Sequence, residues 1–242
     1  MRKWVLFCGA VVLVTACDKH DPILPGVRSD IFATNSLNIL DKPVPNVVDN
    51  IAQSDVEDCP YIQKSDNTVW DGTRKIFSGF ATNNSVAGEK TPICRGNFVY
   101  AGLSTGELVK FNAKTRQIVW IADVYRASNM TGGASVVDIV APAQIYKNNV
   151  YVGGLGDAFC KISDKTGNTA WCIEIGVEKP FIIADTVAYV LDTEKNLNAV
   201  RLSDGAIYWR TGVKKSRVPK YKDKTINVGH EKIDAETGKI LK

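Results

Sequence analysis

The chain has 242 residues, of which 45% are hydrophobic and 23% are charged, and these values suit one large or two small globular domains. Its 30 basic and 26 acidic residues give a net charge of +4, too small an excess to indicate a nucleic-acid-binding surface. The two histidines, His20 and His230, lie at opposite ends of the sequence. A histidine-rich metal site or a Ser-His-Asp hydrolase is therefore disfavoured, because both need imidazole beside their other groups.

The N-terminus has the pattern of a bacterial export signal. Arg2 and Lys3 are followed by an apolar run from Trp4 to Val14. This run in helical form covers only about half of the ~30 Å hydrocarbon core, so it fits a signal peptide rather than a transmembrane helix. It ends at Ala16-Cys17, which resembles a lipobox and predicts removal of residues 1–16 and acylation of Cys17. The alternative is an ordinary signal peptide that contains a cysteine.

Residues 17–58 are predicted to form a flexible, lipid-anchored tether. Prolines interrupt this stretch repeatedly, and no hydrophobic period persists between them. One acylated cysteine with two or three acyl chains is enough for stable membrane attachment. The tether therefore needs no apolar helix of its own.

Residues 59–242 contain a repeated unit, in which a tyrosine is followed twenty residues later by a tryptophan. The three full copies are defined by Tyr100 and Trp120, Tyr151 and Trp171, and Tyr189 and Trp209. A proline precedes each tyrosine, and a polar turn lies between the tyrosine and the tryptophan. A partial copy ending at Trp70 opens the array, and a shorter copy closes it.

This unit predicts a four-stranded antiparallel blade of a β-propeller. The proline suits the start of a strand, β-branched and aromatic residues alternate in the strands, and Asp, Asn and Gly suit the turns. Blades with two apolar faces must stack, so we predict an all-β propeller of about four blades. The sequence stops at Lys242, where a fourth tryptophan would fall, which favours an incomplete or open array. Arg116 replaces the turn glycine of the other copies, at a cost of about 1 kcal/mol if its φ is positive.

Four cysteines follow Cys17, and an even number suits an oxidising compartment. Cys160 and Cys172 flank one hairpin turn. A five-residue loop would set them directly opposite each other, within disulfide distance, whereas a four-residue loop would set Trp171 opposite Cys160. Cys59 and Cys94 would form the remaining pair, although nothing in the sequence fixes their register. The alternative is that all four are small buried apolar residues.

One column of the repeat is basic in our alignment and contains Lys110, Lys161, Arg201 and Lys232. One interpretation is a basic band that faces an acidic partner. The other is a set of solvated cations whose stems cover apolar surface.

The unit Val-Tyr-x-Gly followed by Asp-Ala-x-Thr-Gly-x-x-x-Trp resembles the pyrroloquinoline-quinone-type propeller repeat. Together with the lipobox and residues 19–28, the chain resembles the BamB family of outer-membrane-assembly lipoproteins. The resemblance implies a non-enzymatic periplasmic scaffold that docks a BamA-like partner, without a cofactor or metal. Members resemble eight-bladed rings, so the resemblance covers about half of such a ring. It favours the outer membrane, whereas Asp18 after Cys17 is typical of inner-membrane retention in enteric bacteria.

Quinone-dependent dehydrogenases share this type of repeat, and a fragment or subunit of such an enzyme is the alternative function. These enzymes resemble rings with a vicinal cysteine pair and acidic calcium ligands. The sequence contains no Cys-Cys pair, and Asp123 and Asp138 have no acidic partner at a suggestive spacing. We therefore assign no catalytic or metal-binding residue. A truncated remnant without a closed ring is a third interpretation.

Overall fold

A computed structural model describes residues 37–52, 54–82, 85–86, 90–125 and 136–241. The predicted signal peptide, Cys17, Asp18 and His20 lie outside these residues. The regular structure of the described residues consists of nineteen short strands in five antiparallel sheets, which we number blades 1 to 5. These residues contain no helix that is long and apolar enough to cross a membrane.

Blade 1 has three strands, which are β1 (Ile62–Gln63), β2 (Thr68–Asp71) and β3 (Arg74–Ser78). Blade 2 consists of β4 (Ile93–Arg95), β5 (Phe98–Gly102), β6 (Glu107–Asn112) and β7 (Ile118–Asp123). Blade 3 consists of β8 (Gln144–Tyr146), β9 (Asn149–Gly154), β10 (Ala158–Ser163) and β11 (Thr169–Ile173). Blade 4 consists of β12 (Ile182–Ala184), β13 (Val187–Leu191), β14 (Asn196–Arg201) and β15 (Ile207–Gly212). Blade 5 consists of β16 (Lys220–Lys222), β17 (Thr225–Val228), β18 (Glu231–Asp234) and β19 (Ile240–Leu241).

The strands of each blade pair in chain order, so every neighbouring pair is joined by a local connection. This topology is the predicted all-β architecture of antiparallel blades. The described residues form five blades rather than about four, because the partial copies at both ends of the array also fold into sheets.

The tryptophans of the repeat join successive blades. Each lies on the fourth strand and packs against the tyrosine of its own blade, with ring centroids 6.0, 6.3 and 5.8 Å apart in blades 2, 3 and 4. Each indole N–H also donates to a backbone carbonyl in the next blade, at the turn between its third and fourth strands. The pairs are Trp120 to Asp164 at 2.9 Å, Trp171 to Leu202 at 3.3 Å, and Trp209 to Ala235 at 3.3 Å.

The same turns need glycine for two reasons. Gly167 and Gly238 have φ values of 75° and 71°, a backbone conformation that residues with a Cβ rarely adopt. A Cβ at Gly167 would also come within 2.7 Å of Trp120, and one at Gly238 within 2.5 Å of Trp209. The glycine therefore makes room for the indole ring of the preceding blade.

Arg116 occupies the corresponding turn of blade 2 and has a φ of 62°. It therefore adopts the positive φ that the glycines adopt in the other turns. Blade 1 differs from the others on the side that faces this turn. Val69 pairs with Phe77 on the side of the β-bulge on which Lys110 pairs with Trp120, so Phe77 holds the tryptophan position of blade 1. Its ring stacks on Phe111 of blade 2, with ring centroids 4.9 Å apart. No indole ring therefore demands the space of the Arg116 side chain. The prediction that Trp70 ends the first copy is wrong, because Trp70 lies on the middle strand of its sheet.

The tether predicted over residues 17–58 is wrong over its second half. From residue 37 the described chain, which we call the strap (residues 37–52 and 54–58), is bonded to the blades. Three strap N–H groups donate to the middle residues of three first strands, namely Ala52 to Ile183 on β12, Asp55 to Ile145 on β8, and Glu57 to Cys94 on β4, at 2.8–2.9 Å. Val44 of the strap is buried against blades 4 and 5. The strap is irregular and has no hydrophobic period, but its backbone donors satisfy carbonyls at sheet edges.

Two disulfides are present in the described residues. Cys59–Cys94 joins the end of the strap to β4, and Cys160–Cys172 joins β10 to β11. The hairpin turn has the four-residue form, because the Ser163 N–H donates to the Asn168 carbonyl. That form alone would set Trp171 opposite Cys160. A β-bulge between positions 161 and 162 shifts the register by one residue, and Cys160 therefore lies opposite Cys172.

A polar cluster around Asp164 connects blades 2 and 3. Asp164 Oδ1 accepts hydrogen bonds from the Tyr100 hydroxyl at 2.5 Å and from Lys110 Nζ at 2.7 Å. Its Oδ2 accepts a hydrogen bond from Arg95 Nη1 at 3.0 Å. The side chains of Lys110 and Asp164 are only 7% and 15% exposed. Burial raises the pKa of Asp164, but the hydrogen bonds from Lys110 and Tyr100 and the charges of Lys110 and Arg95 outweigh it, so the pKa lies below its usual value.

We expect Asp164 to make the fold sensitive to acid. Because its pKa is lowered in the folded state, the carboxylate stabilises the protein above the unfolded pKa of about 4, and this contribution is lost as the pH falls. Asp164→Asn should lower the free energy of unfolding at pH 7 by about 1–3 kcal/mol and should flatten its decline below about pH 5. Urea unfolding at pH 7, 5 and 3 measures both effects. Asp71→Asn, which breaks an exposed pair with Arg74, is the control and should change stability little. An unchanged acid decline in Asp164→Asn would contradict this role.

We expect both cysteine pairs to form disulfides in protein isolated from its native compartment. Non-reducing peptide mapping would detect them. The double variant Cys160→Ala/Cys172→Ala should lose about 3 kcal/mol of unfolding free energy at most, because the bridge closes a loop with a separation of 12 residues. Cys59→Ala/Cys94→Ala should lose somewhat more, because that separation is 35 residues. Free thiols at Cys160 and Cys172 would overturn the assignment of their bridge.

Candidate docking surface

The predicted basic column does not form one partner-facing band. Lys110 and Lys161 pair with the tryptophans of their own blades and are therefore equivalent. The Lys110 Nζ donates to the Asp164 carbonyl at 2.8 Å, and the Lys161 Nζ donates to the Leu202 carbonyl at 3.1 Å. Both lysines therefore point into the contact region between their blade and the next, which we call the seam.

Arg201 does not belong to this column. Ala199 follows Tyr189 by ten residues, as Lys110 follows Tyr100, so Ala199 is the equivalent residue. Matching the Ser-Asp pairs of two turns gives a register shifted by two residues, whereas the constant spacing from the tyrosine gives the correct register. Arg201 instead binds Asp204 of its own turn at 2.8 Å. Lys232 belongs to the column and is exposed on blade 5.

The outer strand of blade 2 presents an apolar edge, a feature that the sequence analysis missed. Among the described residues, β7 pairs with β6 alone. Ile118, Val119 and Ile121 on β7 are 51%, 46% and 48% exposed, while Trp120 is buried. Proteins usually protect such edges with charge, proline or a covering segment. An edge that no described residue covers and that carries three exposed β-branched residues is therefore a candidate docking surface.

The equivalent edge of blade 4 is covered by the chain itself. The Ile207 N–H donates to the Asn38 carbonyl, and the Leu40 N–H donates to the Ile207 carbonyl, both at 2.8 Å, so the strap pairs with β15 in parallel. Ile207 occupies the position of Ile118, two residues before the tryptophan, and it is 0% exposed. The fourth strand of a blade can therefore accept a further strand, even though β15 and its partner carry the same bulge as β6 and β7.

The other two outer strands differ from β7. On β11 the same positions are held by Thr169 and Ala170, which are exposed but offer little apolar surface. On β19 they are held by Ile240 and Leu241, which are 47% and 41% exposed. Among the outer strands of blades 2 to 5, only β7 combines an unpaired edge with three exposed apolar residues within the described part of the chain.

The acidic residues considered for calcium are used otherwise. Asp138 accepts hydrogen bonds from Lys90 Nζ and from the Val86 N–H, and its ion pair with Lys90 is buried. Burial and the neighbouring Glu107 raise the pKa of Asp123. Across the described ranges, no three His, Cys, Asp or Glu side chains are grouped so that they could hold a metal ion. His230 lies exposed in the turn between β17 and β18.

Comparison with known proteins identifies the family. The family described as "Outer membrane protein assembly factor BamB" matches residues 50–211, which is more than half of the chain, and the chain therefore belongs to this family. A BamB from Kangiella koreensis is 19% identical over 134 residues, which are 55% of this chain and 34% of that protein. The chain therefore spans about a third of the length of this curated relative.

Solved structures share the fold at low sequence identity. The crystal structure of BamB from Moraxella catarrhalis matches with a TM-score of 0.54 and 16% identity, covering 85% of this chain and 63% of that chain. The computationally designed Ika8 protein matches with a TM-score of 0.50 and 13% identity, covering 77% and 59% of the two chains. The first match confirms the BamB-like propeller architecture predicted from the repeat.

Proposed function

We propose that this member of the BamB family is a non-enzymatic, lipid-anchored scaffold in the assembly of β-barrel outer-membrane proteins. Its docking surface would be the edge of β7, and its occupant would be an extended strand of a BamA-like partner. The exposed apolar edge of β7 carries this proposal, together with the strand that already covers the same position in blade 4.

The strap supplies a template for the contact. Its N–H and C=O groups on either side of Ile39 both bond to Ile207. A partner strand could use the outward backbone groups of β7 in the same way and set β-branched or aliphatic side chains against Ile118 and Ile121. Backbone hydrogen bonds would then supply affinity, and the apolar side chains would supply specificity.

The membrane anchor would be the acylated Cys17. The strap is bonded to the blades, so its residues do not belong to a free tether. The repeat family and the predicted lipobox together support the periplasmic face of the outer membrane. Asp18 leaves the inner membrane as the alternative.

We expect Ile118→Lys/Val119→Lys to abolish binding to the purified periplasmic domains of the BamA-like protein of the source bacterium. The introduced charges would be desolvated by a docked strand, but they lie on an exposed edge and should leave the melting temperature nearly unchanged.

The matched control is Thr169→Lys/Ala170→Lys, which places the same charges at the same positions of β11. This control should bind like the wild type in a titration by isothermal calorimetry. Equal binding by both variants, or equal loss in both, would rule out β7 as the docking edge.

We expect Cys17→Ser to move the protein from the membrane fraction to the soluble fraction or to leave an uncleaved precursor, because the acylated residue is removed. Cys8→Ser, which changes a cysteine inside the predicted signal peptide, should leave membrane attachment intact. Fractionation and mass spectrometry of the N-terminus distinguish these results. A Cys17→Ser protein that is processed and remains membrane-bound would refute lipid anchoring.

A further inference from the structure

Three seams between successive blades place corresponding residues side by side. Each seam contains the tyrosine of one blade, the residue ten positions after it, and the turn residue of the next blade whose carbonyl accepts the indole hydrogen bond. Between blades 2 and 3 these are Tyr100, Lys110 and Asp164. The hydroxyl and the ammonium both donate to the Asp164 carboxylate, so the buried cation is neutralised within the chain.

The seam between blades 4 and 5 contains neither charge. Its residues are Tyr189, Ala199 and Ala235. The Tyr189 hydroxyl donates to the Ala235 carbonyl at 3.0 Å, and all three residues are buried. This seam thus lacks both the cation and the acid found between blades 2 and 3. This is expected if a buried charge in a seam needs an oppositely charged partner.

The seam between blades 3 and 4 breaks this match. Tyr151 and Lys161 are retained, but Leu202 holds the position of Asp164. Lys161 Nζ donates to the Leu202 carbonyl, and within the described ranges it forms no ion pair with a carboxylate. The Tyr151 side chain is buried, and its hydroxyl makes no hydrogen bond to a described residue. A partly exposed cation and a donor hydroxyl therefore line the same seam without the carboxylate that the neighbouring seam supplies.

A cavity of about 480 Å³ opens at this seam, within the range of about 300–1,000 Å³ typical of ligand pockets. Besides Tyr151, Lys161 and Leu202, its lining includes Tyr208 and residues 45–46 of the strap. The other cations of the lining already have acids, since Lys147 pairs with Asp185 and Arg201 pairs with Asp204. Lys161 therefore gives the cavity its uncompensated positive charge.

We propose that this cavity binds a carboxylate borne on a peptide, which takes the place that the Asp164 carboxylate occupies in the preceding seam. The bound carboxylate accepts hydrogen bonds from the Tyr151 hydroxyl and from Lys161 Nζ. Burial raises the pKa of Tyr151 to about 12, so its hydroxyl remains a donor at neutral pH. The site is distinct from the β7 edge, and its existence does not depend on the docking proposed there.

The test is calorimetric titration of the folded protein with N-acetylglutamate N-methylamide, which offers a side-chain carboxylate, and with N-acetylglycylglycine, which offers a terminal one. N-acetylglutamine N-methylamide is the uncharged control, and inorganic phosphate tests for general anion binding. We expect saturable binding of at least one carboxylate probe and none of the uncharged one. The preferred carboxylate probe identifies the source as a side chain or a chain terminus.

Two variants test the site itself. Lys161→Met should weaken carboxylate binding about tenfold or more, because a charge-assisted hydrogen bond is lost. Leu202→Asp should abolish binding and raise the melting temperature, because it supplies the carboxylate within the chain. Lys232→Met, at the same column position on blade 5, should bind like the wild type, and circular dichroism checks the fold of every variant.

Each contrary result overturns the proposal. These results are no saturable carboxylate binding by the wild type, equal affinity in folded Lys161→Met and the wild type, or stronger binding of phosphate than of both carboxylates. If Leu202→Asp does not fold, Lys161→Met and Lys232→Met still decide the outcome.

Discussion

An indole ring seated on the turn of the next blade is the contact on which the rest of this structure depends. It combines a buried aromatic surface with one hydrogen bond from the indole N–H to a carbonyl. The ring requires a turn without a Cβ, and the turn requires a positive φ, so glycine serves both needs at Gly167 and Gly238. The exception is consistent with this explanation, because Arg116 lies in the turn of the blade that follows blade 1, where the smaller Phe77 stands in place of the tryptophan.

Sheet edges are the second constraint. The first strands of blades 2, 3 and 4 each present a carbonyl, and the strap supplies N–H donors to these three in reverse blade order. Cys59 then joins the end of the strap to β4. The strap also covers the outer edge of β15. The chain thus satisfies several of its own edges with an irregular segment, whereas no described residue covers the apolar edge of β7. The same backbone chemistry that fixes the strap makes β7 suited to a strand from another protein.

The turn position that accepts the indole hydrogen bond carries a different side chain in each seam. The position after the third strand can hold Asp164, Leu202 or Ala235 without disturbing the indole hydrogen bond, because the acceptor is a backbone carbonyl. Side chains at the seam are therefore free to vary, subject to the rule that a buried charge needs a partner. Among the three seams compared, the one between blades 3 and 4 has a cation, the partly exposed Lys161, without an acid, and it is also where a cavity opens.

The sequence by itself determined the repeat, the all-β class and the equivalence of the three tyrosine–tryptophan pairs, because strand alternation and turn residues are local signals. It also gave two possible registers for Cys160, and the choice between them depended on a bulge in β11 that no local signal marks. The strap was mistaken for a flexible tether because most of its bonds reach strands distant in the sequence, as in Ser54 to Ile145, whose separation is 91. Tertiary structure alone decided which edges are covered and which seam lacks an acid, since both depend on residues that only packing brings together.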